Sequence, residues 1–184
     1  MKGFFARCAV ALQERMTGES ADHMRDIHAG SPAVFWRLTL ATALWNHQKA
    51  LPRDISSVAA IAALRSEDCG PCVQIAVNMA LKQGVSPAIV RAAATGALAE
   101  LSKDTRLAYD FAYAVAASDP RAEDLRALIE QHWGKAGLAE FALVIATVRT
   151  YPALKRAMGY ARTCQRVTIE GETLEAHPAR ERAA

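Results

Sequence analysis

The chain has 184 residues, 52% hydrophobic and 22% charged, a composition that excludes an intrinsically disordered protein. Twenty-two basic against 19 acidic residues leave a formal charge of +3 without a charged run, so neither nucleic acid nor an anionic membrane is indicated as a partner. One domain with a sizeable core is expected at this length.

The opening "MKGFFARCAVALQERM" has the apolar flavour of an export signal, but Arg7 interrupts it and no small-residue cleavage site follows. It reads instead as a helix over 3–16, followed by another over 20–28. "SPAVFWRLTLATALWNHQKA" starts a helix over 33–50, with Ser31 as N-cap and Pro32 in the first turn. Helices over 54–66 and 71–83 come next. Ser86-Pro87 opens one over 87–100, and Asp119-Pro120 opens one over 121–133, with 104–118 between them. Segments 138–150 and 153–165 complete the series, and Gly84 and Gly134 stand where a glycine closes a helix. No alternating strand pattern and no Asn-Gly or Asp-Gly turn is present. The fold class is therefore all-α, with one domain over 1–169 and a polar, frayed tail over 170–184.

The longest apolar run, 137–148, is interrupted by Glu140 and is too short to cross a bilayer. Its apolar residues surround most of the helix, which suits a central core position or a second burial in a subunit contact. A soluble, cytoplasmic protein is expected. In that compartment the four cysteines (Cys8, Cys69, Cys72 and Cys164) point to redox or metal chemistry before a disulfide scaffold.

Chemistry concentrates in "EDCGPC". Pro71 has its torsion preset for a first helical turn, so Cys69 falls just before a helix and Cys72 in its first turn. Unpaired N–H groups and the positive end of the helix dipole favour thiolate there. Gly70 allows the bend that brings two sulfurs together. A redox-active pair fits these residues best, with a structural pair and a metal site as the alternatives. Zinc is served poorly, because one CxxC supplies two ligands where a structural site wants four. Thioredoxins also carry Cys-Gly-Pro-Cys, but after a β-strand, whereas "RDISSVAAIAALRSED" reads as helix.

Other polar residues have plainer readings. Gln74, Asn78 and Lys82 form a stripe spaced by four, expected to face solvent or another subunit. His23, His28 and His47 suit helix surfaces or turns, and Tyr109 with Tyr113 a core edge. Arg149, Lys155, Arg156 and Arg162 suit a solvated face that could steer an acidic substrate or reductant. Cys8 and Cys164 lack local partners and are expected as small buried side chains. Glu67, beside the pair, is a candidate acid-base group and otherwise a solvated carboxylate; His132, ending a helix, is a candidate too and otherwise a dipole partner.

"EDCGPCVQIAVNMALKQGVSPAIVRAAATG" resembles the CxxC helix, glycine-ended turn and following helix of the alkyl hydroperoxidase D (AhpD)-like, or carboxymuconolactone decarboxylase-like, superfamily. "DTRLAYDFAYAVAASDPRAEDLRALIEQHWGKAGLAEFALVIATVRTYPALKRAMGYA" is similar to its second helical section, and together they cover about 50–165. The resemblance implies an all-α fold, homo-oligomers, and a hydroperoxide-reducing thiol-disulfide oxidoreductase. It makes Cys72 the peroxidatic and Cys69 the resolving cysteine, with no cofactor and no metal. It also implies a small hydroperoxide or disulfide substrate and a dithiol protein or lipoyl-type donor as reductant. The chain departs from the peroxidase pattern where a glutamate and two histidines belong: Ser57, Pro71 and Ala76 stand there. Its proton relay is missing as written. The rival expectation is a helical oligomer whose CxxC is structural or redox-sensing; lactone decarboxylation, the superfamily's other chemistry, makes no use of a dithiol.

Overall fold

The computed structural model describes residues 2–44, 47–67, 69–160 and 166–176. Among them are α1 (Lys2–Thr17), α2 (Asp22–Gly30), α3 (Pro32–Leu44), α4 (Arg53–Ser66), α5 (Gly70–Lys82), α6 (Pro87–Thr95), a 3₁₀ turn (Leu98–Glu100), α7 (Lys103–Ala117) and α8 (Ala122–Ala157). An antiparallel hairpin follows, β1 (Arg166–Ile169) with β2 (Glu172–Glu175). The all-α expectation holds for the body of the molecule.

α4 is the central element. Val58, Ala59, Ile61, Ala62 and Ala63 are completely buried, and the helix packs against α5, α6, α7 and α8. Its alanines let neighbouring backbones come close, while Val73 and Val77 of α5, Phe111 of α7 and Phe141 of α8 fill the space between them. A smaller cluster joins Ala6 and Val10 of α1 to Met24 and Ile27 of α2 and Phe35 of α3.

Four boundaries depart from expectation. The helix placed over 33–50 is described only to Leu44, and the chain at 49–51 is already in a bend fixed by Glu140. The helix placed over 87–100 stops at Gly96, whose left-handed φ of 83° turns the chain into the 3₁₀ segment. The last three expected helices form one element broken at Gly134, and it ends at Ala157 instead of 165. It runs through Pro152; the lost hydrogen bond is offset by complete burial of the ring. Among the described residues α8 is the one helix long and apolar enough to reach across a bilayer, unlike the shorter run from which the opposite was expected, and its most apolar window is 28% buried within the chain.

The tail is the fourth departure. Glu170 and Gly171 have φ of 51° and 84°, the two left-handed torsions that the tightest hairpin turn requires. Glutamate fills the place where asparagine or aspartate usually announces such a turn. Val167 and Ile169 point inward and Ala176 is fully buried, so the expected fraying does not apply to 170–176. Residues 177–184 lie outside the described residues.

Candidate functional site

The site is the junction between α4 and α5. Cys69 is the N-cap of α5, and its carbonyl accepts hydrogen bonds from the Cys72 and Val73 amides at 2.9 and 3.0 Å. This turn sets the Cα atoms of Cys69 and Cys72 5.3 Å apart, with their sulfurs at disulfide distance. Gly70 and Pro71 occupy the first two helical positions, one residue earlier than expected. The pair thus sits at the positive end of a thirteen-residue helix, which stabilises a thiolate when the bond is reduced. Each cysteine is only 2% exposed and belongs to the main core.

Glu67 caps the end of α4 immediately before this turn. Its Oε1 accepts from Arg149 Nε at 2.6 Å and its Oε2 from Arg156 Nη2 at 2.5 Å, while Arg156 Nη1 also reaches the Glu67 carbonyl at 2.9 Å. The carboxylate is 12% exposed and the two guanidiniums 37% and 46%. Burial alone would raise the Glu67 pKa, but the two arginine hydrogen bonds and charges outweigh it and hold the group below the ordinary carboxylate range. Glu67 is therefore a fixed anion, poorly suited to passing a proton. Arg149 and Arg156, expected on a solvated face, are spent on it.

His132 lies elsewhere. Half-exposed on α8, it stacks edge-on against Trp133 and stands 3.4 Å from Asp104 of α7, and no contact joins it to the cysteines. Ser57 is buried in α4 and Ala76 is half-buried one turn beyond Cys72. Neither position brings a titratable group to the pair. Among the described residues no cluster of three or more His, Cys, Asp or Glu side chains could hold a metal ion.

The polar stripe of α5 corrects its expectation. The Gln74 amide donates to Thr168 O at 2.9 Å and accepts from Thr168 N at 2.6 Å, so it docks the hairpin as a neighbouring strand would. Asn78 donates to Thr17 O, and Lys82 to Arg15 O and Met16 O, which satisfies the free carbonyls that end α1. The stripe faces other parts of the same chain because those parts carry unpaired backbone groups. His23 is another correction: it is buried, between α2 and the end of α8, while His28 packs edge-on against Phe35 and His47 is exposed. Tyr109 and Tyr113 form the expected core edge, Tyr109 buried and Tyr113 half-buried, with their rings stacked. Cys8 is exposed on α1, contrary to expectation; Cys164, like Arg162, lies outside the described residues.

Residues 32–108 match the model of the carboxymuconolactone decarboxylase family. The dithiol lies within the segment that is similar to that family. That segment runs from α3 into α7, so the CxxC turn and the whole of α4 and α5 lie inside it, as the likeness to AhpD-like proteins anticipates. No curated protein and no solved structure matches the chain.

Two residues that shape the matched segment escaped the sequence reading. Arg65, four residues before Cys69, is buried, and among the described residues no acid pairs with it. It donates to Ala176 O at 2.7 Å, to Ala93 O at 3.3 Å and to the Tyr109 hydroxyl, with its guanidinium over the Tyr109 ring. Glu140 of α8 is buried too, and accepts from the Lys49, Ala50 and Leu51 amides at 2.7, 2.8 and 2.9 Å. One acid inside an apolar run was the available sign of Glu140. Arg65 stood at a helix end, where a cation is ordinary, and gave none.

Proposed function

We propose that the protein is a thiol-disulfide oxidoreductase of AhpD-like type that reduces a small hydroperoxide. The observation carrying this reading is the Cys69–Cys72 pair, held at disulfide distance on the first turn of α5 within the family segment. In the reduced protein the Cys72 thiolate attacks the peroxide's terminal oxygen, the O–O bond breaks, and an alcohol leaves with one proton. Cys72 becomes a sulfenic acid. The Cys69 thiol then displaces water from it and closes the disulfide. A dithiol protein or a lipoyl-type donor returns two electrons and two protons. No cofactor or metal enters this cycle.

General-base help is typically worth roughly a hundred- to ten-thousand-fold, so a pair lacking the family's glutamate and histidine should turn over slowly. A homo-oligomer in a reducing cytoplasm would supply both the reductant and cover for the outward apolar residues of α8. Burial of both cysteines favours a second reading, in which the pair is a structural clip or a redox sensor.

Hydroperoxide turnover with a lipoyl-type dithiol decides between them. Turnover above the uncatalysed rate, abolished in Cys72→Ser and reduced to a single sulfenic event in Cys69→Ser, supports the enzyme. No turnover, with both thiols alkylated only above the ordinary cysteine pKa of about 8.5, leaves the clip or sensor.

A further inference from the structure

The C-terminal hairpin is fastened on both sides of the dithiol turn. Arg65 stands four residues ahead of Cys69, and its Nε donates to Ala176 O at 2.7 Å. Gln74 stands two residues beyond Cys72; its amide donates to Thr168 O at 2.9 Å and accepts from Thr168 N at 2.6 Å. Thr168 pairs with Thr173, so the two fastenings lie as far apart along the hairpin as Thr173 and Ala176, about 10 Å at the usual strand rise. That span exceeds the 5.3 Å between the Cα atoms of the two cysteines. The inner residues of the hairpin, Val167, Ile169 and Ala176, join the same core cluster as Cys69 and Cys72. Arg91 of α6 and Glu172 of β2 form a third tie, at 2.6 Å.

The other neighbours of α5 are α4, α6 and α1. α4 and α6 place completely buried side chains in the core and cannot leave it without unfolding the body. α1 is tied to the far end of α5, through Asn78 and Lys82. The hairpin is a different kind of cover. Two strands by themselves are marginal in water, and the Gln74 bonds and the Arg91–Glu172 pair both lie at the surface. When Ala176 leaves, Arg65 keeps the Ala93 carbonyl and the Tyr109 hydroxyl, so lifting strands no bare charge in the core. We propose that the hairpin is a strap whose lifting uncovers the Cys69–Cys72 pair to its reactants. The strap lies outside 32–108, so control of access belongs to a part of this chain beyond the matched segment. The inference rests on the reading of the pair as redox-active, and it supplies the route that burial of both cysteines otherwise denies.

Alkylation of the reduced full-length protein by iodoacetamide, read cysteine by cysteine in a mass spectrometer, tests this with exposed Cys8 as internal reference. Cys69 and Cys72 should react far more slowly than Cys8, at rates that low urea hardly changes, the mark of a local opening. Gln74→Leu removes two hydrogen bonds and should speed their alkylation at least about tenfold. Glu172→Gln should speed it about two- to fivefold. Hydrogen exchange at the Thr168 amide should quicken by similar factors, because one opening serves both. Asn78→Leu loosens the other end of α5 and should leave the alkylation of the pair as it was.

Faster Thr168 exchange with unchanged alkylation of the pair would overturn the strap, since the hairpin would then lift without uncovering sulfur. Alkylation unmoved by either hairpin variant would overturn it too, as would equal acceleration in Asn78→Leu, the sign of general loosening. The proposed activity is judged separately. Hydroperoxide turnover with alkylation unmoved keeps the enzyme and removes the strap; faster alkylation without turnover keeps the strap and removes the enzyme.

Discussion

The two turns that bracket α4 are fastened to the same helix by opposite means. Before α4, α8 supplies the acid: buried Glu140 receives three backbone amides, two of them from exposed residues of the turn. After α4, the turn supplies the acid: Glu67 receives two half-exposed guanidiniums. Amides are fixed by the chain and carry no net charge, so the first fastening is rigid and indifferent to salt. Guanidiniums on long, partly solvated side chains are neither. The turn bearing the dithiol is the looser of the two, which under the proposed function suits a segment that would admit a substrate to a buried pair.

Removing the first fastening should have the largest effect. Glu140→Ala leaves the Lys49, Ala50 and Leu51 amides without their acceptor and should cost about 3 kcal/mol, read as a lower urea midpoint at unchanged slope. A cost below that of the corresponding change at Glu67 would invert the comparison.

Acid comes next and acts on both turns. Burial opposes ionisation of Glu140, but the three amides and nearby His47 hold its carboxyl below the ordinary range, as the arginines hold Glu67. A depressed carboxyl pKa means that the unfolded chain binds the proton first. Each contribution is therefore complete above the unfolded carboxyl value of about 4.3 and is lost as the pH falls through the folded one. His23 adds an earlier limb by the same sign, since its folded pKa of about 4 lies below the ordinary 6.5. Melting temperature should thus fall in two stages, first between pH 6.5 and 4 with loosening of α1–α3, then below that range with loss of both turns. His23→Gln should remove only the first stage.

Smaller still is the second fastening itself. Glu67→Ala should cost about 1 kcal/mol, because its partners are half in water. It should nonetheless speed reduction of the Cys69–Cys72 bond by a small phosphine, whereas Glu140→Ala at matched stability should not. The least effect is salt on the native protein. About 1 M sodium chloride should cost a few tenths of a kcal/mol, and Glu67→Ala should abolish that dependence while Glu140→Ala leaves it intact.

Most of the helical body was legible because local signals and tertiary packing agree there. Ser86-Pro87 does open a helix, Gly84 does follow one, and the alanine-rich face of α4 does turn inward. The dithiol turn was legible for the same reason, since proline and glycine dictate its backbone directly. The partners of polar side chains were not. Glu67 looks solvated until α8 arrives from 82 residues away, and Gln74 looks solvated until the hairpin docks 94 residues later. The hairpin itself was missed because Glu170 lacks the usual turn chemistry, and the strand before it is anchored by burial of Val167 and Ile169, both on β1. Long-range pairing leaves no period in the local sequence.

Gly134 carries a consequence for both fastenings at once. Its φ of 69° and ψ of −179° lie in a region that only glycine occupies freely, and this one torsional setting aims everything that follows it in α8. The 135–157 stretch then acts as a splint laid along α4, clasping it at one end through Glu140 and at the other through Arg149 and Arg156. At about 1.5 Å per residue the spacing of those clasps roughly equals the length of α4, so a bearing error at the pivot would misplace both together. The geometry of the dithiol turn is thus governed from a residue 62 positions beyond Cys72, with no side chain of its own.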